Sequence, residues 1–516
     1  MKGNPHWIKV TKLMQMGAGN YISESMEDDP VGNQFLMQQL DKLNRIDNIK
    51  KTDLHIQQVA GEDKTIDVVV EIFNNVNSGG TKLSKGDLAL AKICGQWTDA
   101  RNEMKVVLKH FYQAGYNFQL EWLLRCITVY LTGRPYFSEL NKVNITDFKK
   151  ALYQTEKLIG ICLDHIGTRL GLDHDRVLGS RYALATMVGY LHREGDKLSC
   201  GKEWDMLLYW YVHTFLWGRY AGSTESIMAQ DLNELTAGGG VEGLIRLLRQ
   251  NRGDLTIRPD DFWGWSTGAR FYPLLYMLTR VGHAKDFGSG VELSNALLGR
   301  NSSLEVHHIF PKDILYKAGK SKSIVNALAN YTFLTKDTNL EISNSPPSKY
   351  IPKYMSRVPG AIESHWIPIE PELWEIDQYD RFLEHRRKLL AESANMFLDS
   401  LYQGSIEEVS LENYSKRNIE IIKTADEEIV LETSLWMTSN GFNGGEMYYS
   451  LVDDTGAVVA IIDLAWPQGL QEGLSEPLAL LIGENEDIKQ IVNSNRYKYF
   501  SNDKSFKEYN RSHYIV

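Results

Sequence analysis

The stretch from about residue 100 to 290 most constrains what this chain can fold into. Segments such as "LEWLLRCITVYL", "RYALATMVGYLH", "WDMLLYWYVHTFLW" and "VEGLIRLLRQ" carry apolar residues at helical spacing or as continuous apolar faces. Helices with that much apolar surface must bury it against one another, so the region predicts a largely helical body. Loops such as "TAGGGVEG" and "NRGDLTIRPDD" punctuate it. No fixed-period repeat is evident, which disfavours a solenoid. The longest apolar runs, "YALATMVGYL" and "LLYWYV", are too short to cross a bilayer, and no membrane partner is expected.

At 516 residues the chain exceeds one compact core, and roughly two to four domains are expected. Changes of character place them at 1–110, 111–290, 291–400 and 401–516. In the first, "IDVVVEIFNNVN" (66–77) reads as a buried strand or an apolar helix start. "NSGGTKLS" supplies turn residues, and Ser84 stands as helix N-cap ahead of "KGDLALAKICGQW". The start, "MKGNPHWIKV", has no apolar h-region and does not read as a secretory signal. Cys94, Cys126, Cys162 and Cys200 form no C-x-x-C pair, which argues against a zinc ribbon or disulfide framework and fits a reducing cytoplasm. Beyond 300 come short segments broken by Pro, Asn and Ser, then a helical stretch at about 377–403. In the tail, "EEIVLETSLWMT", "GEMYYSLVDD" and "AVVAIIDLAW" read as strands, the last two joined at Asp454-Thr455-Gly456. The tail is thus expected to be a small α+β module.

The net charge of −10 is unevenly spread. Residues 401–516 hold 9 Lys+Arg against 19 Asp+Glu and carry the whole excess, whereas residues 301–360 hold 8 against 4. A locally basic segment is compatible with binding phosphate.

That basic segment contains "NSSLEVHHIFPKDI", in which His307 and His308 stand together before a proline. Hydrolysing a phosphodiester near neutral pH calls for a base to activate water and a hard divalent cation at the leaving oxygen. Histidine suits the base, and magnesium favours oxygen-rich coordination, so further ligands must come from another element. Downstream, Asn330 opens the alternating strand "YTFL", Asn339 follows nine residues later, and Asn344 and Lys349 come next. Each has a plainer reading. His307 can be a surface strand residue, Asn330 and Asn344 turn residues, and Lys349 a solvated lysine beside Pro346-Pro347.

A His-His strand, a return strand opened by Asn and then an Asn on a turn or helix together resemble the HNH nuclease family, whose core is a ββα-metal fold. The resemblance implies His307 as a metal ligand, His308 as general base, Asn330 as the residue orienting that base, and Asn339 as the second protein ligand. The cation would be Mg²⁺ or Mn²⁺, with Asn344 and Lys349 as phosphate contacts. The paired cysteines of zinc-stapled relatives are missing here, so packing alone must hold the core.

A wider resemblance spans roughly residues 60–360. "EIFNNVNSGGTKLSKGDLALAKI" and "GRYAGSTESIMAQDL", together with "LEVHHIFPKDIL…NYTFLTKDTN", are similar in order to the GmrSD-type modification-dependent restriction endonucleases. In that family a ParB-like N-terminal domain handles nucleotide and a C-terminal HNH domain cuts DNA. The resemblance implies a multidomain, mainly α chain with a ββα-metal core, acting on DNA (modified foreign or phage DNA) in the cytoplasm. The family's Asp-Gly-Gln-Gln-Arg string is absent, so the ParB-like domain is expected to be partial, its missing half lying upstream or on a partner chain. Gly79, Gly80 and Thr81 would then be at most a partial nucleotide site, and no NTP hydrolysis is expected of this chain alone. Two alternatives stay open: a catalytically silent DNA-binding or assembly subunit, and a helical adaptor with a fortuitous motif.

Overall fold

The computed structural model describes residues 9–28, 40–53, 68, 72, 85–198, 200–294, 304–404, 425–452, 458–470, 475–484 and 486–513. The chain divides into two compact units, residues 1–64 and 65–516. In the first, helices α1 (Val10–Met16), α2 (Ala18–Asp28) and α3 (Leu40–Asn48) close on Leu13, Ala18, Tyr21, Ile22 and Leu43.

The second unit is mainly helical with small sheets. Its body comprises α4 (Lys85–Gln96), α5 (Ala100–Gln113), α6 (Leu120–Thr132), α7 (Ile145–Leu170), α8 (Arg181–Arg193), α9 (Gly201–Leu216), α10 (Thr224–Thr236), α11 (Gly240–Arg252) and α12 (Tyr272–Val281). Local chemistry sets the ends of α7. The Asn144 side chain caps its start by accepting from Asp147 N–H at 2.9 Å, and Gly171 ends it in the left-handed region at φ 69°. Between them Phe148, Leu152, Thr155, Ile159, Cys162, Ile166 and Leu170 form one buried stripe at spacings of three and four. Helix α9 is buried from Trp204 through Leu216 with the exception of Met206. This is why its sequence is apolar almost all round. The buried Asp205 carboxylate accepts from Arg169 Nε–H at 2.6 Å.

After the helical body come strand β1 (Glu305–His308), short helices α13 (Lys312–Lys317) and α14 (Lys322–Val325), and strand β2 (Tyr331–Leu334). Helices α15 (Lys336–Ile342), α16 (Pro347–Arg357) and α17 (Tyr379–Gln403) follow. The two strands pair antiparallel, with His307 opposite Thr332 and His308 opposite Tyr331. The hairpin lies between two apolar cores. Tyr331 and Phe333 join the helical body, Phe333 meeting Tyr272 and Tyr276 edge-to-face, while Leu334 joins Ile309, Phe310, Tyr350 and Phe382 in the second core. Helix α17 packs on α9 and reaches the hairpin through Arg386, whose guanidinium donates to the carbonyls of Ala329 (2.8 Å), Tyr331 (2.5 Å) and His365 (3.2 Å).

The C-terminal segment holds α18 (Ala425–Ser439), a sheet in the order β3 (Glu446–Val452), β4 (Val458–Trp466), β5 (Leu478–Leu480), β6 (Lys498–Phe500), and helices α19 (Glu486–Ser494) and α20 (Asp503–His513). The expected β3–β4 hairpin is present, with its Asp454–Gly456 turn outside the described residues. The expected strand at 427–438 is instead part of α18. Its Ile, Val and Thr content mimics a strand, but the residues it buries are Val430, Thr433 and Met437, at helical spacing. Ser84 and most of 66–77 also lie outside the described residues, leaving only Val68 and Ile72, both helical. Among the described residues no helix is long and apolar enough to cross a membrane.

Candidate functional site

Successive side chains of a strand point to opposite faces, so β1 sends its two histidines apart. His307, fully sequestered, turns toward α15, where its Nδ1 lies 2.8 Å from Asn339 Oδ1. The Asn339 amide in turn donates from Nδ2 to Glu305 Oε2 at 2.6 Å. Glu305 sits two residues before His307 and therefore on the same face of β1. With Nδ2 committed to the carboxylate, Asn339 presents its oxygen to the imidazole. The other ring nitrogen, Nε2, is buried without a hydrogen-bond partner, and Tyr350 lies edge-on to the ring.

His308 is half-buried. Its Nε2–H donates to Asn326 Oδ1 at 3.0 Å, and its ring meets Tyr331 edge-to-face. The residue expected to orient it, Asn330, makes its hydrogen bonds elsewhere. Asn330, wholly buried, accepts from Phe310 N–H at 2.8 Å and donates to the carbonyls of Phe310 (3.1 Å) and Val325 (3.0 Å). Those bonds occupy both amide hydrogens and the amide oxygen. Asn330 therefore holds the backbone on either side of the loop between β1 and β2 and leaves the imidazole to Asn326.

Burial depresses both imidazoles. His307 is pushed down to about 4, with the Asn339 contact opposing and the buried Arg386 cation reinforcing the shift. His308 is pushed down to about 3 by burial, then by the Lys312 cation. Both rings are neutral at neutral pH, the form in which an imidazole offers a lone pair to a cation or a proton.

Helix α15 owes its placement to Asp286. This fully buried carboxylate accepts from Thr335 N–H and Oγ1–H (both 2.9 Å), Thr338 Oγ1–H (2.5 Å), Ser289 N–H (2.9 Å) and Oγ–H (2.8 Å), and Gly288 N–H (3.2 Å). It stands at the helix N-terminus, where a negative charge is favoured. Burial works against the carboxylate, yet the hydrogen bonds outweigh it and hold its pKa below the ordinary value.

Of the two expected phosphate contacts, Asn344 donates to Asp313 Oδ2 at 3.0 Å and is thus engaged by a carboxylate. Lys349, exposed on the first turn of α16, has no partner among the described residues. Gly79, Gly80 and Thr81 lie outside the described residues. Glu305, Asn326 and Asp286 are the polar residues at the site that the sequence reading missed. Strand periodicity could have flagged Glu305; nothing local marks the other two.

An imidazole, an amide oxygen and a carboxylate are donor types that a hard divalent cation accepts, but here they are hydrogen-bonded to one another, Asn339 Oδ1 to His307 Nδ1 and Asn339 Nδ2 to Glu305. Among the described residues no three His, Cys, Asp or Glu side chains form a metal-holding group.

No family model matches the chain. It is similar to the uncharacterized protein MJ0686 of Methanocaldococcus jannaschii, with 25% identity over 224 residues. That match covers 37% of this chain, and the chain spans only 37% of the relative's length.

Proposed function

We propose that this chain is an HNH endonuclease that hydrolyses DNA phosphodiester bonds with Mg²⁺ or Mn²⁺ and cuts modified foreign DNA. The observation that supports it best is the meeting of His307 and Asn339, brought together at 2.8 Å by a strand and the helix that follows its partner strand. Strand, return strand and helix stand in the order of a ββα core. Two of the four motif residues, His307 and Asn339, meet by contact, while His308 is held by Asn326 and Asn330 acts through the backbone.

In this reading His307, Asn339 and Glu305 would exchange their mutual hydrogen bonds for the cation, which would supply charge stabilisation at the leaving oxygen. His308 takes the proton from the attacking water. Its Nδ1 is the atom available for this, because Nε2 carries the proton given to Asn326 and Nδ1 makes no hydrogen bond among the described residues. As it stands, burial leaves His308 a weak base. An arriving phosphate anion would favour its protonated form and bring it toward working range. Lys349, exposed on the first turn of α16, would contact a flanking phosphate.

The test is plasmid nicking by the purified 516-residue chain with Mg²⁺ or Mn²⁺, parent against His308→Ala. The expected loss is about 10²–10⁴-fold, with DNA affinity nearly intact. Equal nicking by both proteins would sink the assignment. DNA binding by a parent with no nicking would reassign the chain as a silent binding or assembly subunit.

A further inference from the structure

The segment 322–327 joins the candidate site to the C-terminal sheet. Asn326, buried within it, accepts from His308 Nε2–H through Oδ1 and donates from Nδ2 to the Lys322 carbonyl at 3.0 Å. That second bond settles which way the amide faces. With the NH₂ group turned back to Lys322, only the oxygen can meet the imidazole, so Nε2 must be the protonated nitrogen and Nδ1 the one with the lone pair.

Lys322 is itself clamped. Its ammonium donates to the Ile482 carbonyl and pairs with Glu484 Oε1 at 3.0 Å, the carboxylate side chain being 5% exposed. The receiving turn is built for this. Gly483 adopts φ 65°, and Ile482 N–H is held at 2.7 Å by Asp463 of β4. A second tie runs beside the first. Trp265 bridges Ala327 in the backbone, Ser266 N–H donates to the Asn326 carbonyl at 3.0 Å, and the Trp265 ring packs against the sheet's apolar core around Leu451, Ala460 and Ile462.

We propose that Asn326 is the positioning residue for His308, and that the C-terminal sheet holds it there through the Glu484–Lys322 clasp. This rests on the nuclease reading for its consequence in rate, but not for the hydrogen bond itself. The acidic module then serves the nuclease core as a brace rather than as a DNA-binding surface. Removing the acceptor frees the ring to rotate and to exchange its tautomer, and an outer-shell partner of this kind is worth about 10–100-fold.

The experiment uses the full chain labelled with [¹⁵N]histidine, at one fixed pH. The His308 signal is assigned by its loss in His308→Gln. The parent should show a protonated, slowly exchanging Nε2–H for His308, absent in Asn326→Leu and retained in Asn326→Asp, which keeps an acceptor. Glu484→Gln should retain the signal but exchange it faster. In nicking assays Asn326→Leu should lose about 10–100-fold in kcat with KM little changed, and Asn326→Asp should recover most of it. An Nε2–H signal or a kcat unchanged in Asn326→Leu overturns the proposal. If that variant does not fold, Glu484→Gln decides, and parent-like exchange there overturns the clasp. A parent without nicking activity removes the nuclease reading, while the Nε2–H signal still reports on Asn326.

Discussion

Replacing Asp286 by Ala removes one carboxylate and strands donors from two segments at once: the 288–289 turn, and the start of α15 at Thr335 and Thr338. A hydrogen bond to a charged group contributes about 1.5–3 kcal/mol, but those sharing one carboxylate are not additive. Leaving a buried donor unsatisfied costs about 1–3 kcal/mol, so a total loss of about 3–5 kcal/mol, from two or three such groups, is expected here. Local opening of α15 carries most of it, since Asp286 is what holds the helix start. At 1.4 kcal/mol per decade, hydrogen exchange of the 336–342 amides should quicken by about 10²–10³-fold. Asp286→Asn should not rescue it. Its amide would turn two hydrogens toward groups that are themselves donors, so at least 10-fold faster exchange is expected. The pH dependence follows from the depressed carboxylate pKa. The stabilisation is fully present above the unfolded value of about 3.9 and is lost as pH falls through the lower folded value. The gap between parent and Asp286→Ala urea midpoints should therefore be full at pH 7 and shrink below about pH 4. Exchange in Asp286→Ala within threefold of the parent, or a midpoint gap independent of pH, would refute the assignment.

Two further outcomes are expected. Lys349→Ala should flatten the slope of log affinity for DNA against log salt by about 1 without changing kcat at saturating DNA; an unaltered slope makes Lys349 a merely solvated lysine. Phosphate release from GTP, ATP, CTP and UTP should stay at background with and without DNA, because a glycine turn supplies only backbone amides and phosphoryl transfer needs placed charges. Sustained turnover abolished by joint Gly79→Ala and Gly80→Ala substitution would show otherwise.

What the sequence determined by itself was whatever depends on neighbours three or four residues away, or two in a strand. The helices between 100 and 290, the helix at Tyr379–Gln403, the strands carrying His307 and Tyr331, and the β3–β4 pair were all legible as periodicity. Helix α18 was not, because its β-branched composition is shared by strands and only its burial on the sheet distinguishes the two. The meeting of His307 with Asn339 was anticipated through a family resemblance, not through spacing. Partners of the other polar groups were decided by tertiary structure. An amide can face any donor or acceptor that packing brings to it, and burial then requires that it be satisfied. Asn330 was thereby committed to the backbone at 310 and 325, and Asn326 inherited the imidazole. The same physics brought Asp286 to Thr335 and Thr338, 49 and 52 residues away, and carried Lys322 to Glu484 across 162. No local pattern encodes such separations, because only the tertiary packing of the chain between them brings the groups together.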